Sequence, residues 1–276
     1  MTSDVDKILA ELKQTRGIDL SGYRRSMLER RLCARMAQLQ LNDSKAYLEQ
    51  LRSDPAEYTH LVDCILINVS SFFRNPLVFE IIAQSILPSI IERKRIEGSN
   101  ELRVWCAGCA EGEEAYSIAI LTHQVLEREE RDWIPYIFAT DMDSDALRQA
   151  EKAIFPRASL ENTKLGILDK YFTNQGNFYE VRPFIRKMVR FSQCDLTSPK
   201  TVAPAESVFG TFDLVLCRNV LIYFTREVQE RIFTKLYKSL AKDGYLILGE
   251  AEALDREIQS VFRTIDSLNR IFIKQI

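Results

Sequence analysis

Histidine is nearly absent from this sequence: two in 276 residues, His60 and His123, neither near another candidate ligand. That argues against a histidine-built metal centre, and it leaves little room for catalysis by a histidine base. No apolar run approaches the roughly 20 residues a membrane helix needs. The opening stretch MTSDVDKILAELK lacks the basic-then-apolar order of a secretory signal, so the cytoplasm is the expected location. Net charge is only -2, which provides no global basic field to attract nucleic acid. Six cysteines occur, at 33, 64, 106, 109, 194 and 217, mostly inside apolar runs where a free thiol acts as a small hydrophobe. Cys106 and Cys109 form a C-x-x-C, but a zinc site needs two more ligands at a compatible spacing. No metal is expected.

What is present is a chain long enough for one large domain or two modest ones, 46% hydrophobic and 28% charged. The first 95 residues read as helical. SDVDKILAELKQTRG opens on Ser3-x-x-Asp6, related to a capping box, and stops at Gly17. YRRSMLERRLCARMAQLQL, NDSKAYLEQLRSD and PAEYTHLVDCILINV follow as three more helices. PLVFEIIAQSILPSIIERKR is helical too, with Pro88 placed to kink or split it. From about residue 101 strands and helices alternate: ELRVWCAG, EGEEAYSIAILTHQVLERE, WIPYIFATD, SDALRQAEKAIF, then FDLVLCRNV, TREVQERIFTKLYKSLAKDG and YLILGEA. That alternation predicts an α/β domain with an open parallel sheet covered on both faces. Residues 156–194 break the rhythm and read as an insertion of small antiparallel strands. SVFRTIDSLNRIFIKQI closes the chain as a hairpin around residues 267–269, and no helical-repeat extension is expected within it.

Open α/β sheets bind ligands beyond the carboxyl ends of their strands. The first such end here is RVWCAGCAEGEEAYSIA, where Gly108 and Gly112 allow a tight turn and close approach to a ligand. It is not G-x-G-x-x-G, and Glu113 and Glu114 at the helix entrance would repel phosphate while suiting the helix dipole. The second strand ends in FATDMD, where Asp141 is placed to accept ribose hydroxyls and Asp143 to cap the next helix. These features favour a nucleoside without a phosphate chain, and S-adenosylmethionine, with its sulfonium and amino-acid tail, fits. Helix-capping acids beside a turn glycine would produce the same pattern. Further on, FSQCDL places Asp195 and Leu196 after a strand, in an adenine-flanking position, and CRNVLIYF places Arg218 and Asn219 after another. The Asn/Asp-Pro-Pro-aromatic motif of nucleic-acid amino-methyltransferases is missing there.

In this order, INVSSFFRNPLVFE, RVWCAGCAEGEEAYSIAI, FATDMD and FDLVLCRNVLIYF behind a helical N-terminus resemble CheR, the S-adenosylmethionine-dependent methyltransferases of chemotaxis receptors. The resemblance covers nearly the whole chain. It implies a Rossmann-like methyltransferase domain with a small antiparallel β-subdomain inserted, preceded by an all-α domain. The corresponding boundaries are 1–67 for the helical receptor-docking domain, 68–95 for a linker and connecting helix, and 96–276 for the methyltransferase domain with its insertion. It also implies methyl esterification of glutamates on a chemoreceptor's cytoplasmic coiled coil. Asn68, Ser70, Arg74, Glu114, Asp141, Asp195, Leu196, Arg218 and Asn219 would contact the cofactor or shape its pocket, with Arg74 and Tyr223 nearest the methyl transfer. Ser70 stands where the family pattern has threonine, and Asp195 where asparagine is frequent, which adds a charge.

On this reading the run 68–74 is a linker folded back over the cofactor, anchored by Phe72 and Phe73 so that Arg74 can orient a carboxylate. The arginine-rich YRRSMLERRLCARM carries Arg24, Arg31 and Arg35 on one helical face. Such a cluster is ordinarily a solvated surface; the family resemblance implies that it meets the acidic methylation region of the receptor. Some relatives also bind a receptor C-terminal pentapeptide at the β-subdomain, and TNQGNFYEVRPFIRK offers an edge for one. Two other readings remain: a cofactor-binding adaptor with little turnover, and a methyltransferase for nucleic acid or a small molecule.

Overall fold

The computed structural model describes residues 2–66, 70–199, 201, 203–204, 207 and 210–275. They fall into two units: the N-terminal helices together with Tyr223–Gln229, and the rest of the chain.

The first unit contains α1 (Thr2–Arg16), α2 (Arg25–Gln38), α3 (Ser44–Ser53) and α4 (Pro55–Ile65). The α1 helix already begins at Thr2, so Ser3 lies inside its first turn and not ahead of it. Asp43 and Asp54 cap α3 and α4 by accepting the amides of Lys45 and Ala56, and Pro55 sits at the first turn of α4, where a missing N–H is harmless. Leu12, Tyr47, Leu51 and Leu61 are fully buried between the helices. Their charged companion is Glu57, which accepts from Arg35 Nε (2.8 Å) and Nη2 (2.5 Å) and from the Tyr47 hydroxyl (2.8 Å). Tyr223–Gln229 packs into this unit. Arg24 N donates to Tyr223 O at 2.8 Å and Thr225 N to Gly22 O at 2.9 Å, and the Tyr23 and Phe224 rings meet edge-on at 4.7 Å.

In the second unit α5 (Pro76–Ile81) runs through a π-helical turn at Ile82–Ile86 into α6 (Leu87–Ile96). Pro88 cannot donate to the preceding turn, and the widened π turn lies just before it, which is how the expected interruption is accommodated.

Then come β1 (Glu101–Ala107), α7 (Glu113–Leu126), β2 (Ile134–Asp141), α8 (Ser144–Lys152), β3 (Ile154–Pro156), α9 (Leu165–Tyr171), β4 (Phe172–Gln175) and β5 (Phe178–Val181). After them follow α10 (Pro183–Arg186), β6 (Val189–Gln193), β7 (Phe212–Cys217), α11 (Arg226–Ser239), β8 (Leu240–Leu248), α12 (Arg256–Gln259), β9 (Phe262–Asp266) and β10 (Ile271–Lys274). The main sheet has the order β6-β2-β1-β7-β8-β10-β9, and β10 alone runs against its neighbours. β7 is buried at every residue, as a parallel strand covered on both faces must be. The antiparallel sheet β3-β5-β4 forms the expected insertion, but the insertion ends earlier than its sequence pattern indicates. Val189–Gln193 leaves it and pairs in parallel with β2, from Ile137↔Val189 to Asp141↔Gln193. The final hairpin turns where expected, between β9 and β10.

Candidate functional site

From β1 the chain steps to β2 and β6 on one side of the sheet; β7 and β8 lie on the other. The carboxyl ends of β1 and β7 therefore flank the point where the winding reverses, where such sheets hold ligands. Cys106 and Leu216 are in register, so the turns after both strands leave the sheet at the same level. Gly108 has φ 81°, and a Cβ there would lie 2.4 Å from Val220 Cγ2. A left-handed turn and close approach both demand glycine at this position. Gly108 N and Cys109 N donate to Thr140 O (2.7 and 3.0 Å), and Ala110 N donates to Asp141 Oδ2 (2.9 Å). Asp141 Oδ1 accepts from Asp143 N at 3.0 Å. The Met142 amide also bonds this carboxylate; an ionised carboxylate has about four acceptor positions, so the three amides leave Asp141 room to accept from a ligand hydroxyl. Burial pushes its carboxyl above the usual range while these amides pull it down. Asp143 caps α8 as expected, accepting from Asp145 N and Ala146 N.

The helix entrance holds two buried acids. Glu113 is 3% exposed; its Oε2 has no hydrogen-bond partner among the described residues, and burial pushes its carboxyl up to about 7 against the pull of the Ser70 hydroxyl. Glu114 is likewise raised by burial, with Arg218 opposing. Arg218 Nη1 donates to Glu114 Oε2 (3.1 Å), and Nη2 to Arg74 O (3.1 Å) and Asn75 Oδ1 (2.8 Å). Its guanidinium carbon also lies 5.4 Å from the centroid of the Phe79 ring. Arg218 is thus a buried organiser that fixes Glu114 against the linker.

That linker is held at each end. Phe72 is fully buried, its ring edge-on to Phe155 (4.8 Å) and Phe172 (5.2 Å), while Phe73 packs on Phe79 at 5.5 Å. Phe72 N donates to Ser159 O (2.8 Å) and Phe73 N to Ser117 Oγ (3.0 Å). Phe73 and Asn75 both adopt left-handed φ, 53° and 61°. Non-glycine residues in that region store strain that the surrounding contacts must offset. Arg74 sits between them with its N donating to Ser71 O at 3.3 Å, its carbonyl on Arg218 and its side chain exposed.

One residue of this region was missed: Glu252. Its buried carboxylate accepts the amides of Asn219, Val220, Leu221 and Ile222, and that of Gly249. Successive amides converging at a strand end make a ready anion cradle. Here the chain fills the cradle with its own carboxylate, which excludes a phosphate from that spot. The buried acids and the filled cradle fit S-adenosylmethionine, which brings a cation and hydroxyls and no phosphate.

The expected residues separate as follows. Ser70, Arg74, Glu114, Asp141, Asp195, Leu196, Arg218 and Asn219 all belong to the second unit. Asn219 has φ 61° and gives its amide to Glu252. Asp195 Oδ1 accepts both N and Oγ1 of Thr197 at 2.7 Å, so the added charge is partly spent on its own turn; Leu196 beside it is buried. Asn68 lies outside the described residues. Tyr223 groups with the first unit, where the Arg31 guanidinium stands 5.7 Å from its ring.

The arginine face of α2 is not the solvated stripe that its spacing indicates. Arg31 is buried and donates from Nη1 to Cys64 O at 3.0 Å, and Arg35 is held by buried Glu57. Arg24 is exposed, though its Nε donates to Phe224 O at 3.0 Å. Two of the three cations are therefore committed inside the fold. Cys106, Cys109 and Cys217 are buried free thiols, each raised well above the usual range by desolvation, and among the described residues no cluster could hold a metal.

Residues 3–66 match the CheR methyltransferase all-alpha domain, and residues 68–271 match the CheR methyltransferase SAM-binding domain. The chain is 30% identical over 243 residues to a chemotaxis protein methyltransferase of Listeria monocytogenes, covering 88% of this chain and 87% of that one. It is 31% identical over 273 residues to a chemotaxis protein methyltransferase of Salmonella typhimurium, covering 96% and 89%. An uncharacterized 104.1 kDa protein of Rhodobacter capsulatus is 34% identical over 266 residues, and the chain spans 27% of its length. The protein belongs to the CheR family, and is an S-adenosylmethionine-dependent methyltransferase with an all-α domain ahead of its α/β domain.

Proposed function

We propose that this protein methylates glutamate side chains on the cytoplasmic coiled coil of a chemoreceptor, producing methyl esters in sensory adaptation. The observation that carries this reading is the fixed linker: two buried phenylalanines and the Arg218 contact hold the Arg74 backbone beside the acidic cofactor turn while its side chain stays exposed. An exposed guanidinium on a rigid backbone suits a carboxylate brought by another protein. Two relatives named as chemotaxis protein methyltransferases, aligned over most of their length, support the same substrate class.

S-adenosylmethionine supplies an electrophilic methyl group when bound. Ser70, Glu114, Asp141, Leu196, Arg218 and Asn219 are the residues that would hold it or shape its pocket, together with Asn68 and Asp195. The acceptor glutamate, with an ordinary pKa of about 4.3, is already ionised at neutral pH. No proton has to be removed, so a chain with two histidines lacks nothing it needs. Arg74 would orient one carboxylate oxygen while the other takes the methyl group, the sulfonium–methyl bond breaking to leave S-adenosylhomocysteine; the family pattern assigns Tyr223 to the same reaction. Rate comes from positioning and from stripping water off the carboxylate. Receptor docking falls to the exposed cations at the start of and within α2, Arg24 at its N-cap and Arg30. A receptor tail peptide would add to β4, an edge strand of the small sheet.

The test is incubation with methyl-labelled S-adenosylmethionine and receptor cytoplasmic fragments. Label released as methanol by mild base marks a carboxyl ester. Cofactor binding without any transfer would instead favour the adaptor reading.

A further inference from the structure

The turn after β8, Gly249-Glu250-Ala251-Glu252, reaches two parts of the cofactor region at once. Glu252 Oε2 accepts from Gly249 N (2.6 Å) and Asn219 N (3.0 Å); Oε1 accepts from Val220 N (2.8 Å), Leu221 N (2.7 Å) and Ile222 N (3.3 Å). Glu250 Oε1 accepts from Asn75 Nδ2 (2.5 Å), and the other end of that same amide, Oδ1, accepts from Arg218. Space around the turn is tight. A Cβ on Gly249 would lie 2.8 Å from Asn219 N, so the two loops are packed backbone to backbone.

We propose that Glu252 is a positioning residue for cofactor binding. It sets the conformation of the Arg218–Ile222 loop without touching the ligand, and Glu250 reinforces it through Asn75. This rests on the functional reading above. Asn219 sits at φ 61°, in the left-handed region that asparagine tolerates better than other non-glycine residues, and its amide is one of the five on the carboxylate that fixes the turn. Hydrogen bonds from amides to an ionised acceptor are about twice as strong as neutral ones, and the carboxylate is 3% exposed, so water does not compete. Remove the charge with a glutamine and one oxygen can still accept from Val220, Leu221 and Ile222, but without ionic strengthening, while an NH2 is turned against the Asn219 and Gly249 amides. The loop then relaxes, and Arg218, Glu114 and Val220 against Gly108 shift with it. The alternative role, a merely structural carboxylate, would lower stability without selectively affecting the cofactor.

Glu252→Gln presents an amide NH2 to a ring of donors; Glu252→Asp keeps the charge on a shorter arm. The measurements are the Kd of S-adenosylhomocysteine by calorimetry and kcat and KM for S-adenosylmethionine, alongside Tm. In Glu252→Gln the Kd and the cofactor KM rise at least about tenfold, while kcat at saturating cofactor changes less than about threefold. Glu252→Asp recovers part of the loss. Leu51→Ala, which empties a core site in the helical unit, serves as a control that lowers Tm and leaves cofactor KM in place. Equal cofactor affinity in folded Glu252→Gln and wild type overturns the positioning role, as does a KM rise of the same size in Leu51→Ala. Should Glu252→Gln fail to fold, Glu250→Ala cuts the Glu250–Asn75 arm while leaving Asn75 Oδ1 on Arg218, and an unchanged Kd there counts against the inference. If the wild-type protein binds no cofactor at all, the functional reading fails first and this inference falls with it.

Discussion

Glu113→Gln isolates a strongly perturbed carboxyl of the cofactor turn. The side chain is 3% exposed at the start of α7, and burial raises it from 4.5 to about 7; Glu111 adds repulsion, and the Ser70 hydroxyl and the local amide oppose. Between those two pH values the folded protein keeps a proton that the unfolded chain has released. Stability contributed by this group is therefore complete below about pH 4.5 and is lost as pH rises through 7. At about 1.4 kcal/mol for each tenfold change in proton affinity, the gap amounts to about 3 kcal/mol. Glutamine has nearly the same shape and does not titrate. The variant should therefore gain on wild type by about 3 kcal/mol between pH 4.5 and pH 8. Denaturant unfolding followed by tryptophan fluorescence measures this directly, because both tryptophans, Trp105 and Trp133, lie in the second unit. A stability difference that stays flat across that interval would refute the buried, proton-holding description of Glu113.

Phe72→Ala removes a ring wedged against Phe155 and Phe172 and should destabilise the second unit by about 3–5 kcal/mol in the same unfolding assay. Arg74→Ala should leave stability close to wild type yet lower turnover on receptor fragments, measured at saturating cofactor, by at least about tenfold; unchanged turnover removes Arg74 from the reaction. Breaking one side of the Arg218–Glu114 pair strands a buried charge, so Arg218→Met should cost about 3–5 kcal/mol, and adding Glu114→Gln should recover part of it. For docking, Arg24→Ala and Arg30→Ala should weaken receptor binding, and wild-type affinity should fall with salt. Arg35→Ala should mainly destabilise the helical unit, since it strips Glu57 of its partner.

Much of the fold was legible because its causes are local. Strand–helix alternation from residue 101 announces a parallel sheet, and Pro88 announces a disturbed helix that takes the form of a π turn. The glycine turn, the acidic helix entrance and Asp141 are adjacent to strand ends in the sequence itself. What stayed hidden depends on distant partners. Helical spacing places Arg31 and Arg35 on one face but is silent on Cys64 O and Glu57, contributed by a later helix. VRFSQ has the composition of any short strand, and only pairing with β2 assigns it to the main sheet. Glu252 reads as one acid in a turn until the loop after β7 closes around it, 30 or more residues away in sequence. Tyr223 lies only a few residues beyond the end of β7, yet it groups with the N-terminal helices.

The central claim is that a phosphate-free, acidic crevice delivers a methyl group to a carboxylate on another protein. Base-labile methyl transfer from labelled S-adenosylmethionine to receptor cytoplasmic fragments tests it most directly. Label should appear on the receptor, be released as methanol by mild alkali, and be abolished when the accepting glutamates are changed to alanine. Label that survives alkali, or a receptor left unlabelled by a protein that demonstrably binds the cofactor, would contradict it.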